Sequence, residues 1–234
     1  MVTDDAGNRT VLKFRIGCDP KLCGEVPQGE PVSWWSGAKF ELPGAMVGIP
    51  GGALYESMIL SAALDTVCGL PTVQVGTSDI PLQKAATVGI AAQELAVSLR
   101  GKALVVAVDD KGKRRSIGGA WDGATQRVVA SAKQLGRWGV AVDTVAPVVR
   151  PVYAGGATIP AGRPLKWTVT DDLSGITHYI LTVDGKWELL AWDPKSRTMA
   201  HTPTRGAAPI KHNVVLTVDD AKGNVKTWKG TYIW

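Results

Sequence analysis

Alternation of apolar and polar residues is strongest in roughly the last ninety residues of the chain. Leu165, Trp167 and Val169 are separated by single polar residues, which is typical of a strand with one buried and one solvent-exposed face. Asp184-Gly185 lies between two further runs and is typical of a tight β-hairpin. About seven short strands in this length predict an immunoglobulin-like β-sandwich for residues 144–234. The predicted strands include 165–170, 177–183, 186–192, 213–218 and 225–233.

The preceding residues, 30–143, predict a less regular β-sandwich. Apolar spacing is ambiguous over 91–100, where we predict a single helical turn. No segment predicts a helix long enough for the crossover that joins parallel strands, so a parallel sheet is excluded. The proline in Asp143-Thr144-Val145-Ala146-Pro147 is typical of a stiff junction between two sandwiches. The candidate strands of this region are 39–42, 46–49, 72–75, 87–90, 103–108, 128–132 and 138–142.

One pattern occurs three times, at residues 2–14, 106–118 and 218–232. Each copy has a β-branched stretch, two adjacent carboxylates, a glycine near Asn or Lys, and an alternating stretch. Because Asp and Asn accept local backbone hydrogen bonds and Gly supplies positive φ, each copy predicts a β-hairpin. The first copy has no sandwich before it. We therefore expect residues 1–16 to be the final strands of a truncated preceding β domain, with residues 17–29 as a linker.

Composition agrees with an all-β protein built from tandem β-sandwiches. The 234 residues include 27 Gly, 14 Pro and 9 Trp but only 2 Phe, which favours many turns and β-type aromatic residues. Hydrophobic residues make up 45% and charged residues 20%, which excludes a disordered tail. No apolar run approaches the roughly 20 residues that a membrane span needs. The first residues also lack the basic start and apolar stretch of a secretory signal, which by itself suggests a cytosolic protein.

The basic excess is small and unevenly divided. Of the net charge of +5, residues 145–234 contribute +4, from 11 Lys and Arg against 7 Asp and Glu. A mildly basic outer module favours anionic envelope surfaces, although weakly at physiological salt. The basic residues are scattered, and their one cluster, 111–115, lies in a predicted turn, so nucleic acid is not the predicted partner.

The residues that usually carry catalysis are not arranged in catalytic patterns. His178, His201 and His212 form no HxH, HExxH or HxxxD motif. No Ser or Cys lies in a nucleophile motif, and no Gly-rich loop follows a strand and opens a helix, which argues against nucleotide binding. We therefore predict no catalytic residue, no metal ligand, no cofactor and no enzyme activity in this chain.

Cysteine and paired aspartates leave alternatives open. Cys18 and Cys23 are five residues apart and could close a disulfide loop in an oxidising compartment, with free thiols as the alternative. With Cys68 the chain has three cysteines, too few for a structural zinc site. Adjacent carboxylates could supply some of the six or more oxygens that calcium needs. Otherwise one aspartate caps the turn and the other is solvated. The pairs are Asp4-Asp5, Asp109-Asp110, Asp171-Asp172 and Asp219-Asp220.

Tryptophan is the remaining unusual residue. We expect Trp138 and Trp167 in the cores between sheets. Trp187 and Trp192 are five apart on one predicted strand and should face opposite sides unless a bulge intervenes. One of them could be exposed and stack on a sugar ring, so both are candidate ligand-stacking residues.

Seven stretches that span nearly the whole chain carry a family resemblance and keep the order of that family. They are 47–55, 99–106, 113–119, 135–138, 143–147, 171–176 and 184–187. Together they resemble the C-terminal part of secreted lysostaphin-type zinc endopeptidases of Bacteroidota. In that family a zinc peptidase domain precedes β-sandwich modules and cleaves the peptide cross-links of peptidoglycan. Its HxxxD and HxH zinc motifs match no position here, so no catalytic residue is carried over.

The resemblance implies non-catalytic accessory modules of a secreted, cell-wall-cleaving metallopeptidase. They would position or anchor a catalytic domain that this chain lacks, and zinc would belong to that domain alone. The implied partners are an upstream peptidase domain of the same polypeptide and peptidoglycan or another envelope glycan. The implied location is periplasmic or extracellular, at the cell surface. The alternative is a free-standing cell-surface module that binds glycan or protein in adhesion.

Overall fold

The computed structural model describes residues 2–3, 5–11, 13, 28–204, 206 and 208–234. Cys18, Cys23 and nearly all of the predicted linker lie outside these residues, so the disulfide stays a prediction. Within the described residues the chain is all-β, in tandem sandwiches, as the sequence predicts. The helix found there is one turn, inside the stretch 91–100 where a helical turn is predicted. In this part of the chain no helix is long and apolar enough to cross a membrane.

The strands of the first part of the chain precede the junction stretch 143–147. They are β1 (Val2–Thr3), β2 (Arg9–Thr10), β3 (Glu30–Val32), β4 (Gly37–Leu42), β5 (Ala45–Pro50), β6 (Met58–Leu60), β7 (Ala62–Val67), β8 (Leu70–Val75), β9 (Pro81–Ala91), β10 (Ala103–Val108), β11 (Arg114–Gly118), β12 (Ala120–Asp122), β13 (Arg127–Gln134) and β14 (Gly136–Val142), with α1 (Val97–Arg100) between β9 and β10.

The strands of the last part follow that stretch. They are β15 (Val148–Pro151), β16 (Leu165–Thr170), β17 (Ile176–Val183), β18 (Lys186–Glu188), β19 (Ala191–Asp193), β20 (Thr198–His201), β21 (Lys211–Asp220) and β22 (Val225–Ile233).

The first sandwich is formed by two five-stranded sheets, in the orders β12-β13-β9-β5-β4 and β11-β10-β14-β8-β7. All pairs between the named strands are antiparallel, as the absence of a predicted crossover helix requires. Its core lies between the two sheets around the buried Trp138, as predicted. Two-stranded sheets β3-β6 and β1-β2 complete the described part before residue 143.

Strand β10 is buried on both of its faces. Ala103 and Val105 face the core of the first sandwich, whereas Leu104, Val106 and Val108 form a separate buried cluster on the outer side of the same sheet. This explains why the strand is an unbroken apolar run rather than an alternating one. Something must therefore cover the outer side of this sheet.

The second sandwich is formed by two four-stranded sheets, in the orders β15-β16-β20-β19 and β18-β17-β21-β22. Trp167 lies fully buried between them, as predicted. Its ring contacts that of Trp228 edge to face, with the ring centroids 5.7 Å apart. The alternation that predicts strand 165–170 gives the observed bounds of β16, because every second side chain there is buried. The arrangement is immunoglobulin-like, in agreement with the sequence.

The three repeated patterns form antiparallel hairpins, as predicted. They are β1 with β2, β10 with β11, and β21 with β22. In the second hairpin Asp109 accepts hydrogen bonds from the backbone N–H groups of Lys111 and Lys113, which closes the turn. The first carboxylate of this pair therefore acts as a turn-forming residue.

The single strand predicted over residues 186–192 is wrong. Strand β18 ends at Glu188 in one sheet, and β19 begins at Ala191 in the other. Between them the chain crosses from sheet to sheet, with Leu189 exposed and Leu190 buried in the second core. Trp187 and Trp192 therefore lie in different sheets, not on two faces of one strand.

Candidate functional site

Two turns of the second sandwich meet the end of the first sandwich directly after β14. The turns are residues 171–175 and 220–224, and their partners in the first sandwich are Lys102, Gly119 and Asp143. We call this set of residues the junction. Hydrogen-bonding and charged groups from distant parts of the sequence converge here.

Asp143 is the central residue of the junction and is only 2% exposed. Its backbone N–H donates to the carbonyl oxygen of Lys102 at 3.0 Å, within the first sandwich. Its carboxylate accepts from the N–H of Val145 at 3.1 Å and from the N–H of Ser174 at 3.0 Å. Its carbonyl oxygen accepts from Nδ2 of Asn224 at 3.0 Å. One buried residue thus binds its own sandwich, the connecting segment and both turns of the second sandwich.

Each of the two turns is shaped by an aspartate at its start. Oδ2 of Asp171 accepts from the N–H groups of Leu173 and Gly175, at 3.2 and 2.6 Å. Oδ1 of Asp220 accepts from the N–H groups of Lys222 and Asn224, at 2.7 and 2.9 Å. Carboxylates that accept local backbone hydrogen bonds hold such turns in one conformation. The turns therefore present fixed donors to the first sandwich.

Two lysines link the sandwiches in opposite directions. Nζ of Lys102 donates to the carbonyl oxygen of Lys222 at 2.6 Å, and Nζ of Lys222 donates to the carbonyl oxygen of Gly119 at 2.7 Å. Burial lowers the pKa of Lys222, while the nearby charges of Asp143 and Asp220 oppose that shift. The ammonium group of Lys222 thus compensates part of the negative charge at the junction.

An apolar contact accompanies these polar ones. Leu173, from the turn 171–175, packs against the outer cluster of Leu104, Val106, Val108 and Ala141. Val67 and Leu70, at the ends of the β7–β8 hairpin, cover the same cluster from within the first sandwich. The second sandwich therefore supplies part of the cover that the doubly buried β10 requires.

Three carboxylates approach one another at the junction. Asp143, Asp171 and Asp172 each offer one oxygen atom, and these atoms lie within 4.8 Å of one another. Burial raises the pKa of Asp171, the charges of Asp143 and Asp220 raise it further, and the hydrogen bonds from Gly175 and Leu173 oppose the shift. These are the residues that could hold a cation. Calcium requires six or more oxygens, and both carboxylate oxygens of Asp143 already accept backbone hydrogen bonds.

The other paired aspartates divide their roles. In the pair Asp109-Asp110, Asp109 closes a turn and Asp110 forms an ion pair with Arg137 at 3.0 Å. In the pair Asp219-Asp220, Asp220 closes a turn and Asp219 lies 3.3 Å from His178. The capping role predicted for one aspartate of each pair is confirmed for these two pairs and for Asp171.

The histidines are not brought together. His178 pairs with Asp219, and His212 pairs with Asp184 at 2.7 Å while stacking on Trp234 at 4.0 Å. Nδ1 of His201, a buried residue, lies 2.9 Å from the carbonyl oxygen of Leu189. Each imidazole in the described residues thus has a partner of its own.

The candidate stacking residues are also separated. Trp187 is 67% exposed on β18, whereas Trp192 is half-buried against the core of the second sandwich. Cys68 is exposed and has a free thiol. Sugar stacking on Trp187 stays a prediction.

A family model described as the Zu5-like domain matches residues 29–143. The matched region runs from just before β3 to Asp143, so it contains both sheets of the first sandwich and ends on the central residue of the junction. The second sandwich lies outside the match. No curated protein matches the chain.

The junction was only partly accessible from the sequence. The stretch 143–147 and the aspartate turns carry local signals of a boundary and of turns. Lys102 carries no such signal, and the turn signal of Lys222 and Asn224 does not indicate that they contact the first sandwich. Lys102 and Lys222 are 120 positions apart, and tertiary structure alone brings them together.

We expect Asp171→Asn to leave the protein as stable as the wild type at pH 7, or more stable by at most about 1 kcal/mol because Asp171 is only partly buried. The amide oxygen can still accept from Leu173 and Gly175, and the unfavourable buried charge is removed. The raised folded-state pKa means that the folded protein favours the protonated form of Asp171. The resulting stabilisation of the fold is fully present below the ordinary pKa of 3.8 and is lost as the pH rises through the raised pKa.

The measurement is urea unfolding of both proteins between pH 3 and pH 7. The advantage of Asp171→Asn over wild type should shrink as the pH falls. Asp172→Asn removes the same charge from the exposed neighbouring residue and should show a smaller pH-dependent difference. A large loss of stability for Asp171→Asn at pH 7 would contradict the expectation.

Proposed function

We propose that the chain is a non-catalytic pair of β-sandwich modules that act as a stiff support, and that they position a peptidoglycan-cleaving zinc peptidase of the lysostaphin type at the cell envelope. The single observation that carries the proposal is the buried Asp143, which binds groups of both sandwiches at once. A support that sets the reach and angle of another domain needs such a fixed connection.

The connection between the sandwiches is short and held at several points. Strand β14 ends at Val142 and β15 begins at Val148, and the intervening segment contains a buried proline, Pro147. Side chains of Asp143, Asn224 and the two lysines bridge the sandwiches by hydrogen bonds, and Leu173 adds an apolar contact. Contacts on both sides of a short connection oppose relative rotation of the modules.

The resemblance to the peptidase family supports the identity of the supported domain. Two of the resembling stretches, 143–147 and 171–176, supply the connecting segment and one of the turns of the junction. In the proposed protein, zinc and hydrolysis belong to an upstream domain of the same polypeptide. The location is then the periplasm or the cell surface, where peptidoglycan is accessible.

We expect Asp143→Ala to widen the range of angles between the two sandwiches, because the N–H groups of Val145 and Ser174 lose their acceptor. Small-angle X-ray scattering should give a larger radius of gyration and a broader set of orientations than for wild type. Asp172→Ala removes a nearby carboxylate, in the turn 171–175, that makes no hydrogen bond among those found in the described residues. This control variant should leave the scattering unchanged. Identical scattering of wild type and Asp143→Ala would contradict the stiff support.

The peptidase part of the proposal is tested by joining a lysostaphin-type peptidase domain to the N-terminal side of the chain. Hydrolysis of insoluble cell-wall sacculi should be slower with Asp143→Ala than with wild type, while cleavage of a soluble cross-link peptide should be equal. If wild type and Asp143→Ala hydrolysed the sacculi at the same rate, as well as the soluble peptide, a positioning role would be refuted.

The exposed Trp187 favours the free-standing adhesion module as a second candidate. In that case the chain alone would bind envelope glycan, and Trp187→Ala would abolish the binding.

A further inference from the structure

A cleft lies at the end of the first sandwich opposite to the junction. Its walls include the last residues of β10 and the first residues of β14, where Ala107 is paired with Trp138. At the other end of the same two strands, Ala103 is paired with Val142, next to Asp143. Four residues along a strand span about 13 Å, so the cleft and the junction are separate places.

The cleft has a volume of about 680 Å³, within the range of small-ligand sites. Its inner part is apolar and contains Leu135 and Trp138, both buried, and the half-buried Ile117. Ser78, Ser116 and Ser131 are also among the residues that line it. An apolar floor with several hydroxyl groups fits a ligand that has both apolar faces and many hydroxyl groups of its own.

Positive charge dominates the lining. Lys113, Arg115, Lys133 and Arg137 line the cleft, against Asp109 as the acidic residue. Arg137 is already committed: it forms ion pairs with Asp110 and Asp65 and hydrogen bonds with Gln74. Lys113, Arg115 and Lys133 form no ion pair among those found in the described residues. Oδ1 of Asp109 accepts two backbone hydrogen bonds in its own turn.

The backbone places Arg115 and Lys133 beside the cleft. Arg115 is paired with Ala107, so it lies on the same side of the sheet as Trp138, at an edge strand where the core ends. Lys133 lies at a register shift of β13, between Ala132 and Gln134. Irregularities of this kind re-aim a side chain and are common beside binding sites. An alternative role for Arg115 is to prevent another chain from pairing with the edge strand β11, as inward charges on edge strands do. That role would not explain the cavity or the position of Lys133.

We propose that this cleft binds an anionic saccharide, with Lys113, Arg115 and Lys133 holding its carboxylate or phosphate group. Charge-assisted hydrogen bonds to such groups are the strong ones, and Arg can make them with two nitrogens. The apolar floor around Trp138 and Ile117 receives the C–H face of a sugar ring, and the serine hydroxyls meet its hydroxyl groups. The site goes beyond the proposed support function and involves no junction residue.

The test is isothermal titration of the whole chain at low ionic strength. Trigalacturonate represents carboxylated sugars, glucose 6-phosphate represents phosphorylated sugars, and maltotriose is the neutral control. We expect saturable binding of one or both anionic sugars, weakened by added salt, and no binding of maltotriose. The stronger of the two anionic probes identifies which anion the site prefers.

Variants give the matched comparison. The double variant Arg115→Gln, Lys133→Gln should weaken binding at least about tenfold. The double variant Lys166→Gln, Lys229→Gln, which removes two exposed cations from the second sandwich, should leave it unchanged. Asp143→Ala should also leave it unchanged, so failure of this proposal is distinguishable from failure of the support function.

A measurement on the wild type keeps the test independent of variant folding. Titration with the bound sugar should shift the NMR signals of the Trp138 indole and the Ile117 methyl groups, but not those of Trp187. Several results would overturn the proposal: no saturable binding, equal losses in both double variants, or equal binding of maltotriose. Binding of hexaglutamate or inorganic phosphate as tight as that of the sugars would show that the site does not recognise a saccharide.

Discussion

Trp167→Ala is expected to lower the free energy of unfolding of the second sandwich by about 3–5 kcal/mol. The indole is fully buried between the sheets and contacts Trp228, so its removal leaves a large cavity in addition to the lost apolar burial. Trp167→Phe should cost less than this. The phenyl ring fills most of the space, and the indole N–H that it removes has no hydrogen-bond partner in the described residues.

The matched variant in the first sandwich is Trp138→Ala. Trp138 belongs to a core cluster that shares no residue with that of Trp167. Differential scanning calorimetry should therefore show two transitions, with Trp138→Ala lowering one and Trp167→Ala lowering the other. If both variants lowered a single common transition by the same amount, the two cores would not be independent units of stability.

Gly119→Ala is expected to cost about 2–5 kcal/mol, which combines backbone strain with a steric clash. Gly119 has φ of +98°, and a Cβ atom added there would lie 2.5 Å from the carbonyl oxygen of Val129 and 2.7 Å from Cβ of Ala130. Neither neighbour is the flexible end of a side chain, so β12 or β13 must move. Because the carbonyl oxygen of Gly119 accepts from Lys222, that movement also weakens the junction.

The adjacent Gly118 provides the control. Its φ of +81° is also in the left-handed region, but a Cβ atom there would meet nothing within 4 Å. Gly118→Ala should therefore cost only the backbone term, about 1–2 kcal/mol. Urea unfolding of the two variants separates strain from clash. Equal losses would show that the close approach of Gly119 to β13 does not contribute.

Strands marked by a regular or unbroken apolar pattern could be predicted from the sequence, and strands without such a pattern could not. The bounds of β16 follow from alternation, and those of β10 follow from an unbroken apolar run. Strand β7 escaped prediction because it is an edge strand whose side chains are largely exposed, so no apolar pattern marks it. The division of 186–192 into β18 and β19 escaped because a change of sheet leaves no periodic signal.

The two sites differ in how far the sequence indicated them. Aspartate turns were recognisable because their chemistry is local, within four residues of one another. Convergence of Asp143 with both turns was not, since it depends on how two sandwiches dock. The sequence places the cluster 111–115 in a turn, whereas Arg114 and Arg115 begin β11. Lys113 and Arg115 line a cleft together with Lys133, which β13 supplies. Charge counts along the chain cannot reveal such a meeting.

Because β10 is buried on both faces, the first sandwich depends on residues outside it to cover its outer side. A piece that stops at Asp143 would lose Leu173 from the outer cluster and the Ser174 donor from the Asp143 carboxylate. Such a fragment would expose an apolar surface beside a carboxylate that has lost a hydrogen-bond donor. We therefore expect the fragment to self-associate. Gene rearrangements that keep this unit functional should therefore carry a neighbour able to shield that side.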